Sequence, residues 1–359
     1  MKFAYRWHGR LGLVLAPLLA VSALSGACLL WLQPLPMPAQ MQTPGSITGW
    51  AQALDRGLAE LARQQPGTDA DLVDLPRQAG DPIRVHLRSA DPDRTGLALV
   101  DADDGRAGAL RPDHLDPRTH LLHLHEHLLH EGLGPWVLRA VALVAIVGVG
   151  LGLRIAWRLR KLPARSPWRR WHRRVGFVAA TPILLMLITG FVLRSPELAC
   201  TVLAAADGSA AAAVPVALPT QPNAPATPAA SLGQVLSAAH AAMPDARPMR
   251  LYAARDGVVR VRLRGDDWNP YGMNNVYVRA SDAAVLRAVR RQDLPLEARY
   301  LDVVYPLHSG WLPGDPGRAA GLALRLLWTG VALALAWMAV SGAWSRLRGR
   351  PALTKSGQK

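Results

Sequence analysis

The stretch Trp7-His8-Gly9-Arg10-Leu11-Gly12 recurs in the second half of the chain as Trp171-His172-Arg173-Arg174-Val175-Gly176. Each copy opens a long apolar run, and a glycine follows the histidine by 18 residues, at Gly26 and at Gly190. The shared register of histidine, arginine and glycine predicts a two-fold internal repeat.

A second pair of motifs supports the same repeat. Leu124-His125 lies nine residues before Gly134, and Leu307-His308 lies nine residues before Gly317. Each of these motifs again precedes an apolar run, so one histidine stands at the mouth of each of four hydrophobic segments. Ionisable residues at membrane depth are costly and usually functional, which makes these four histidines the first candidates for a site.

Four apolar runs, at 11–32, 136–156, 175–194 and 318–343, approach the ~20 residues that a membrane-spanning helix needs. Tryptophans typical of membrane interfaces fall at or near their ends: Trp31, Trp136, Trp157, Trp328 and Trp344. The sequence therefore predicts an α-helical membrane protein with four transmembrane helices and a two-fold internal repeat.

The net charge of +15 is concentrated in three places. Residues 1–10, 154–174 and 344–359 hold 17 of the 41 Lys and Arg residues and no acid, whereas the rest of the chain holds 24 basic and 26 acidic residues. With four spans these segments share one side, and the positive-inside rule makes that side the cytoplasm. Because the basic runs lie where the membrane topology requires them, we do not expect a nucleic-acid partner.

The two polar segments, 33–120 and 195–305, each predict a small α+β module on the opposite side. Helices are expected at Ile47–Gln64 and at Ser231–Met243, after an Ala/Pro-rich linker at 204–230. Alternating patterns predict strands at Ile83–Leu87, Leu97–Val100, Arg106–Leu110, Met249–Ala253, Val258–Leu263 and Asn275–Arg279. An Asp256-Gly257 turn joins the strands on either side of it. Neither module is expected to have a large core.

These patterns together define nine segments. They are the cytoplasmic N-terminus 1–10, a span at 11–32, the first module 33–120, an interfacial segment with a span at 121–156, the cytoplasmic Arg-rich loop 157–174, a span at 175–194, the linker and second module 195–305, an interfacial segment with a span at 306–343, and the cytoplasmic tail 344–359.

The four histidines predict two metal or haem sites, one at each membrane face. His8 and His172 would form the inner pair, and His125 and His308 the outer pair. A zinc site needs four converging nitrogen or sulfur ligands, whereas here the histidines come in twos. Two axial histidines are typical of a low-spin haem that transfers electrons, so we expect two b-type haems.

Other residues of the repeated motif fit the same interpretation. Gly12 and Gly176 lie one helical turn after His8 and His172, which leaves room for a flat macrocycle. Arg10 and Arg174 lie at headgroup level and could bind haem propionates. An interfacial belt of Trp, His and Arg is the alternative interpretation of these motifs.

Two further features leave alternatives open. His123, His127 and His130 form an i, i+4, i+7 stripe beside His125, which could bind zinc or copper, and one of them could replace a lost His125. Cys28 and Cys200 fall on the same side of the membrane, so they could form a disulfide or could be unrelated.

The chain resembles the PepSY-associated transmembrane helix family over nearly its whole length. The motifs that carry the resemblance are Trp7-His8-x-Arg10-Leu11-Gly12 with Ser25-Gly26, Trp171-His172-x-Arg174-Val175-Gly176 with Thr189-Gly190, Leu124-His125-x-x-Leu128-Leu129, and Leu307-His308-Ser309-Gly310 with Pro316-Gly317-Arg318 and Ser341-Gly342. The resemblance implies a bacterial inner-membrane protein whose outer modules are periplasmic PepSY domains. It also implies that His8, His125, His172 and His308 are the family's membrane histidines.

Some members of this family resemble di-haem reductases of ferric siderophores. The resemblance therefore implies electron transfer to a periplasmic ferric chelate in iron uptake. The chain contains no flavin or nicotinamide domain, so quinol or a cytoplasmic reductase would have to supply electrons. The second interpretation is a non-enzymatic anchor whose PepSY-like modules bind or regulate periplasmic partners. The sequence does not indicate the oligomeric state.

Overall fold

The computed structural model describes residues 2–32, 46–78, 80–162, 166–208, 230–311 and 317–348. Its helices are α1 Lys2–Trp31, α2 Ile47–Gln64, α3 Pro117–His127, α4 Gly134–Arg158, α5 Pro167–Leu193, α6 Pro196–Asp207, α7 Leu232–Ala242, α8 Leu296–Ser309 and α9 Gly317–Arg348. Its strands are β1 Asp69–Asp74, β2 Ile83–Arg88, β3 Gly96–Val100, β4 Arg111–Pro112, β5 Arg247–Tyr252, β6 Val258–Arg264, β7 Asn274–Arg279 and β8 Val285–Val289.

Four helices, α1, α4, α5 and α9, are long and apolar enough to cross a membrane, so the chain is a multi-pass membrane protein. Two of them begin earlier than the hydropathy pattern predicted. α1 starts at Lys2 and α5 at Pro167, which places His8 and His172 within the helices rather than in front of them. The N-terminal segment from Lys2 is thus helical, and α5 begins within the segment predicted as a cytoplasmic loop.

The four long helices pack as a bundle around a core of small and branched side chains. That core consists of Ala23, Ala145, Ile183, Leu187, Val331, Leu335 and Ala336. α1 lies against α4 and α9, and α5 lies against the same two helices. Alanine at the contacts lets the backbones approach closely, which is how helices associate where lipid removes the usual hydrophobic driving force.

The strands form one antiparallel sheet of eight strands in the order β4-β3-β2-β1-β5-β6-β7-β8. The two polar segments meet at its centre, where β1 pairs with β5 and Val73 lies opposite Leu251. The two polar segments therefore share one sheet, and the prediction of two separate modules with small cores is wrong. Each segment alone offers too little apolar surface, and joining the sheets lets both halves bury one shared core.

The shared core lies between the sheet and the helices α2 and α7. It contains Leu54 and Leu61 of α2, Val235 and Leu236 of α7, and the inward residues of both halves of the sheet. Asp55 of α2 links the two helices, because its carboxylate accepts hydrogen bonds from the Ser231 hydroxyl at 2.7 Å and from the Gly233 amide at 2.8 Å.

Most elements predicted in the polar segments are confirmed. α2 has the predicted bounds, and Ser231 caps α7 in a capping box with Gln234. Asp256 and Gly257 both take positive φ in the turn before β6. The strand predicted at Arg106–Leu110 is wrong, because only Ala107 makes an isolated bridge and the edge strand is β4.

Strands β1 and β8 and helix α6 escaped the sequence prediction. β1 and β8 were not predicted, because β1 is rich in Asp and β8 is short. The expected linker at 204–230 begins later, since residues 204–207 end α6, and its residues 209–229 lie outside the described residues.

Cys28 and Cys200 do not form the disulfide that was one of the two alternatives, because both are free thiols.

Two short helices, α3 and α8, each precede a membrane-spanning helix. α3 carries His125 and leads to α4, which begins at Gly134; α8 carries His308 and leads to α9, which begins at Gly317. The Trp328 indole of α9 donates a hydrogen bond to the Leu307 carbonyl at 3.0 Å, which fixes the end of α8 against the bundle.

Candidate functional site

The four histidines meet as two pairs. The imidazole centroids of His8 on α1 and His172 on α5 are 6.2 Å apart. Those of His125 on α3 and His308 on α8 are also 6.2 Å apart. The sequence paired the same residues, but only the packing of α1 against α4 and α9, and of α5 beside them, brings the rings together.

This spacing matches a metal ion held between two imidazoles. Metal–nitrogen bonds of about 2 Å on each side separate the two nitrogens by about 4 Å, and the ring centres, set about 1 Å further back, then lie about 6 Å apart. The separation also falls within the range of edge contacts between aromatic rings, so it is compatible with an ion between the rings and does not by itself require one.

The Nδ1 atom of each inner histidine is held by a hydrogen bond to a neighbouring helix. His8 Nδ1 donates to the Gly148 carbonyl on α4 at 2.9 Å. His172 Nδ1 lies 2.9 Å from Ser341 Oγ on α9, and the Ser341 hydroxyl itself donates to the Met338 carbonyl.

The outer histidines repeat this arrangement. His125 Nδ1 donates to the Ser22 carbonyl at 3.0 Å and lies 3.1 Å from Ser25 Oγ. His308 Nδ1 lies 3.1 Å from Thr189 Oγ1, whose hydroxyl donates to the Leu185 carbonyl. Where Nδ1 donates to a backbone carbonyl, as in His8 and His125, the proton on Nδ1 leaves Nε2 with the lone pair that binds a metal.

A glycine lies against every one of these rings. A Cβ atom added to Gly152 would lie 2.7 Å from Cε1 of His8, and one added to Gly342 would lie 3.1 Å from that of His172. Gly26 and Gly190 meet His125 and His308 in the same way, at 2.8 and 3.0 Å. Because these glycines have no side chain, the imidazole rings lie directly against the helix backbones, and this contact fixes the positions of the rings.

The protein offers only two ligands at each position. Within the described ranges, no group of three or more His, Cys, Asp or Glu side chains converges as a metal site would require. A metal bound between either pair would take its other ligands from a non-protein group. A haem, which brings four nitrogen ligands of its own, would meet this condition with one histidine pair as its protein ligands, and a tetrahedral zinc site would not.

One family model covers nearly the whole chain. The model of the PepSY-associated TM region matches residues 5–347. The chain belongs to this family. No curated protein matches the chain as a relative.

Gly12 and Gly176, which are equivalent positions of the repeated motif, have different surroundings. No atom lies within 4 Å of a Cβ built on Gly12, so the space beside that residue is open. Gly176 instead faces the Met338 side chain, whose Cε lies 2.6 Å from the built Cβ. The space beside Gly12 is therefore open, whereas the space beside Gly176 is filled by the flexible end of Met338.

The two arginines of the motif are exposed and lie over tryptophan rings. The Arg10 guanidinium is 5.8 Å from the Trp7 ring centre, and that of Arg174 is 5.9 Å from the ring centre of Trp171. Neither has a carboxylate within 4 Å among the residues with known positions. Both are therefore available to carboxylates of a bound group.

The three extra histidines near His125 do not form one stripe. α3 ends at His127, and Leu128 and Leu129 take left-handed backbone conformations, which turns His130 away from the helix. His123 and His127 lie 5.7 Å apart, while His130 Nδ1 accepts a hydrogen bond from the Leu133 amide. The three-ligand site expected at His123, His127 and His130 is not assembled.

The contacts of His8 with α4 were not found from the sequence. Gly148 and Gly152 lie in the apolar run Gly148-Val149-Gly150-Leu151-Gly152, which resembles many tightly packed membrane helices. The glycines at every second position were the available signal, since they lower helix propensity without an evident reason.

Proposed function

We propose that this membrane protein binds two b-type haems, one between His8 and His172 and one between His125 and His308, and passes electrons across the bilayer. The observation that carries this proposal is the 6.2 Å separation of both imidazole pairs, with every Nδ1 held by a hydrogen bond. When bound, haem supplies one-electron chemistry.

The protein's own residues orient and tune the two sites. The Gly148 carbonyl and the Ser341 hydroxyl hold the inner rings, and the Ser22 carbonyl and the Thr189 hydroxyl hold the outer rings. A hydrogen bond to the other ring nitrogen fixes the tautomer of the imidazole and raises the basicity of the ligating nitrogen. Arg10 and Arg174 would bind the propionates of the inner haem by charge-assisted hydrogen bonds.

Two sites are needed because the pairs lie at opposite ends of the bundle. His8 and Gly26, the seat of His125, are 18 residues apart on α1, which is about 27 Å along a helix. A single macrocycle cannot serve both pairs. We infer that electrons pass from the inner pair to the outer pair, through a bundle built as a two-fold repeat.

The orientation follows from the distribution of charge. The basic segments 1–10, 154–174 and 344–359 are assigned to the cytoplasm by the positive-inside rule. The eight-stranded sheet, which follows α1 and α5, is then periplasmic, and the protein lies in the bacterial inner membrane. Quinol or a cytoplasmic reductase would donate electrons to the inner pair.

The acceptor follows from the family resemblance rather than from the geometry. We propose a periplasmic ferric chelate such as a siderophore complex, and hence a role in iron uptake. The deciding test is the absorption spectrum of protein purified from haem-replete cells. A reduced b-type spectrum with two haems per chain, reoxidised by a ferric chelate, supports the proposal, whereas colourless protein would support a non-enzymatic anchor.

A further inference from the structure

The sheet has a second face, opposite to α2 and α7, that is dominated by arginine. Strand pairing places Arg84, Asp74, Arg250 and Arg262 side by side across β2, β1, β5 and β6. In the next row Tyr252 of β5 and Arg260 of β6 lie on the same face, and the Arg260 guanidinium stacks 3.9 Å from the Tyr252 ring centre.

Arg77, in the loop after β1, adds a fifth guanidinium to this group. It lies 4.4 Å from the ring centre of Tyr271 and 5.4 Å from that of Trp311. We call Arg77, Arg84, Arg250, Arg260 and Arg262 the arginine face. All five side chains are only partly exposed to solvent.

The protein neutralises part of the charge of the arginine face. Asp74 pairs with Arg250, with 2.8 Å between Oδ2 and the guanidinium. Across the ranges that the structure describes, the guanidinium groups of Arg77, Arg84, Arg260 and Arg262 have no carboxylate oxygen within 4 Å. Four positive charges are therefore held together on one surface, which is unfavourable unless an anion joins them.

The pKa values of Tyr271 and Tyr252 reflect the positive potential of the arginine face. Burial alone would raise the pKa of Tyr271, but the guanidinium groups of Arg77 and Arg250 outweigh burial and hold that pKa below its ordinary value. Burial would likewise raise the pKa of Tyr252. The guanidinium groups of Arg262 and Arg260 favour the ionised phenolate and hold that pKa below its ordinary value.

The arginine face adjoins the outer histidine pair. Tyr271, which stacks on Arg77 and Arg250, meets Tyr305 of α8 with ring centres 6.1 Å apart. Tyr305 lies three residues before His308 on the same helix, a rise of about 4.5 Å. A molecule bound against Arg77 and Tyr305 would thus lie about one helical turn from His308 of the outer pair.

We propose that the arginine face binds an anionic ferric chelate with carboxylate or similar oxygen donors and presents it to the outer histidine pair. This inference rests on the proposed function and narrows its substrate class. Guanidinium groups bind carboxylates through paired, charge-assisted hydrogen bonds, and the surrounding tyrosine and tryptophan rings provide flat apolar contacts. Cationic chelates are disfavoured by the same charges.

The test measures binding of a redox-inert analogue, so that it does not depend on haem or on electron transfer. The full-length protein is placed in nanodiscs of zwitterionic lipid and titrated with gallium(III) citrate, which is anionic, and with a cationic gallium(III) trihydroxamate. The test variant is R77Q/R84Q, and the control is R63Q, an exposed arginine of α2 on the other side of the sheet.

We expect the anionic complex to bind the wild type and R63Q equally, and R77Q/R84Q at least about tenfold more weakly. Binding should also weaken at high ionic strength, whereas the cationic complex should not bind. Equal affinity of wild type and R77Q/R84Q, or equal affinity for the two complexes, would overturn the proposal. So would the loss of wild-type binding in nanodiscs of anionic lipid, because it would identify headgroups as the ligand. The haem spectrum of the same samples tests the proposed function separately.

Discussion

His125 lies directly against Gly26, because a Cβ atom on that glycine would be 2.8 Å from Cε1 of the imidazole. Gly26 is also the residue that follows His8 by 18 positions, and Gly190 stands in the same relation to His172 and to the ring of His308. The repeated spacing therefore has a structural reason. Each of the helices α1 and α5 carries a histidine of one pair and the seat for a histidine of the other.

Replacing Gly26 with alanine should displace the outer histidine without touching the inner pair. The added methyl group overlaps the His125 ring, so the ring must move away from its partner His308. We expect loss of the outer haem, which is about half of the total, measured by haem quantitation per chain.

Gly330→Ala is the matched control for this variant. Gly330 lies in α9, and no atom comes within 4 Å of its built Cβ. The haem content of the Gly330→Ala variant should equal that of the wild type. Unchanged haem content in Gly26→Ala would show that His125 does not depend on this seat for binding.

His8→Ala and His172→Ala should each remove the inner haem alone. Both rings would bind the same ion, so each single variant should lose about half of the haem and the double variant no more than that. Redox titration should show the same surviving potential in all three variants. Further loss in the double variant would mean that the two histidines serve different sites.

Loss of either outer histidine should stop electron delivery to a ferric chelate. The expectation that a neighbouring histidine replaces His125 is not supported by the geometry of α3. His123 and His127 are two residues from His125, about 200° around the helix, and they contact each other instead. We therefore expect His125→Ala and His308→Ala to be equally inactive in a reductase assay on membranes.

His123→Ala serves as the control for the outer site. It removes a nearby imidazole that does not face His308, so both haem content and reductase activity should be retained. Full activity in His308→Ala would contradict the outer-site assignment and favour the anchor function.

A reporter fused after Lys359 should be active only in its cytoplasmic form. The tail belongs to the side that carries the basic segments, whose translocation is unfavourable. A second fusion within the loop at 209–229 should behave as an exported reporter. Export of the first fusion, or cytoplasmic activity of the second, would contradict the proposed orientation.

Asp55→Ala should weaken the contact between the two halves of the sheet domain. The change removes the acceptor for the Ser231 hydroxyl and the Gly233 amide, which should lower the free energy of unfolding by about 1–3 kcal/mol. Thermal unfolding of the full chain in detergent measures this loss. Ser231→Ala in the Asp55→Ala background should cost less than it does alone, because the pair shares one hydrogen bond.

Gln52→Ala is the control, since Gln52 is exposed on the same helix and its substitution should be nearly neutral. Strict additivity of Asp55→Ala and Ser231→Ala would show that the two residues act independently and that the halves are not joined at this point.

The sequence determined the elements whose physics is local. Apolar runs of sufficient length predict α1, α4, α5 and α9 because a membrane span must satisfy its backbone internally. Amphipathic spacing predicted α2, and the capping residue Ser231 predicted α7. The repeat also paired the four histidines correctly, since equivalent positions in two copies lie at equivalent depths.

Only the tertiary structure decided how the two halves combine. β1 is too acidic to be recognised as a strand, yet its pairing with β5 merges two predicted modules into one sheet, because neither half buries enough apolar surface alone. The Arg77 contacts and the seats at Gly148 and Gly152 likewise join residues far apart in the chain. Sequence patterns report local periodicity, whereas these contacts depend on which surfaces the packed helices and strands bring together.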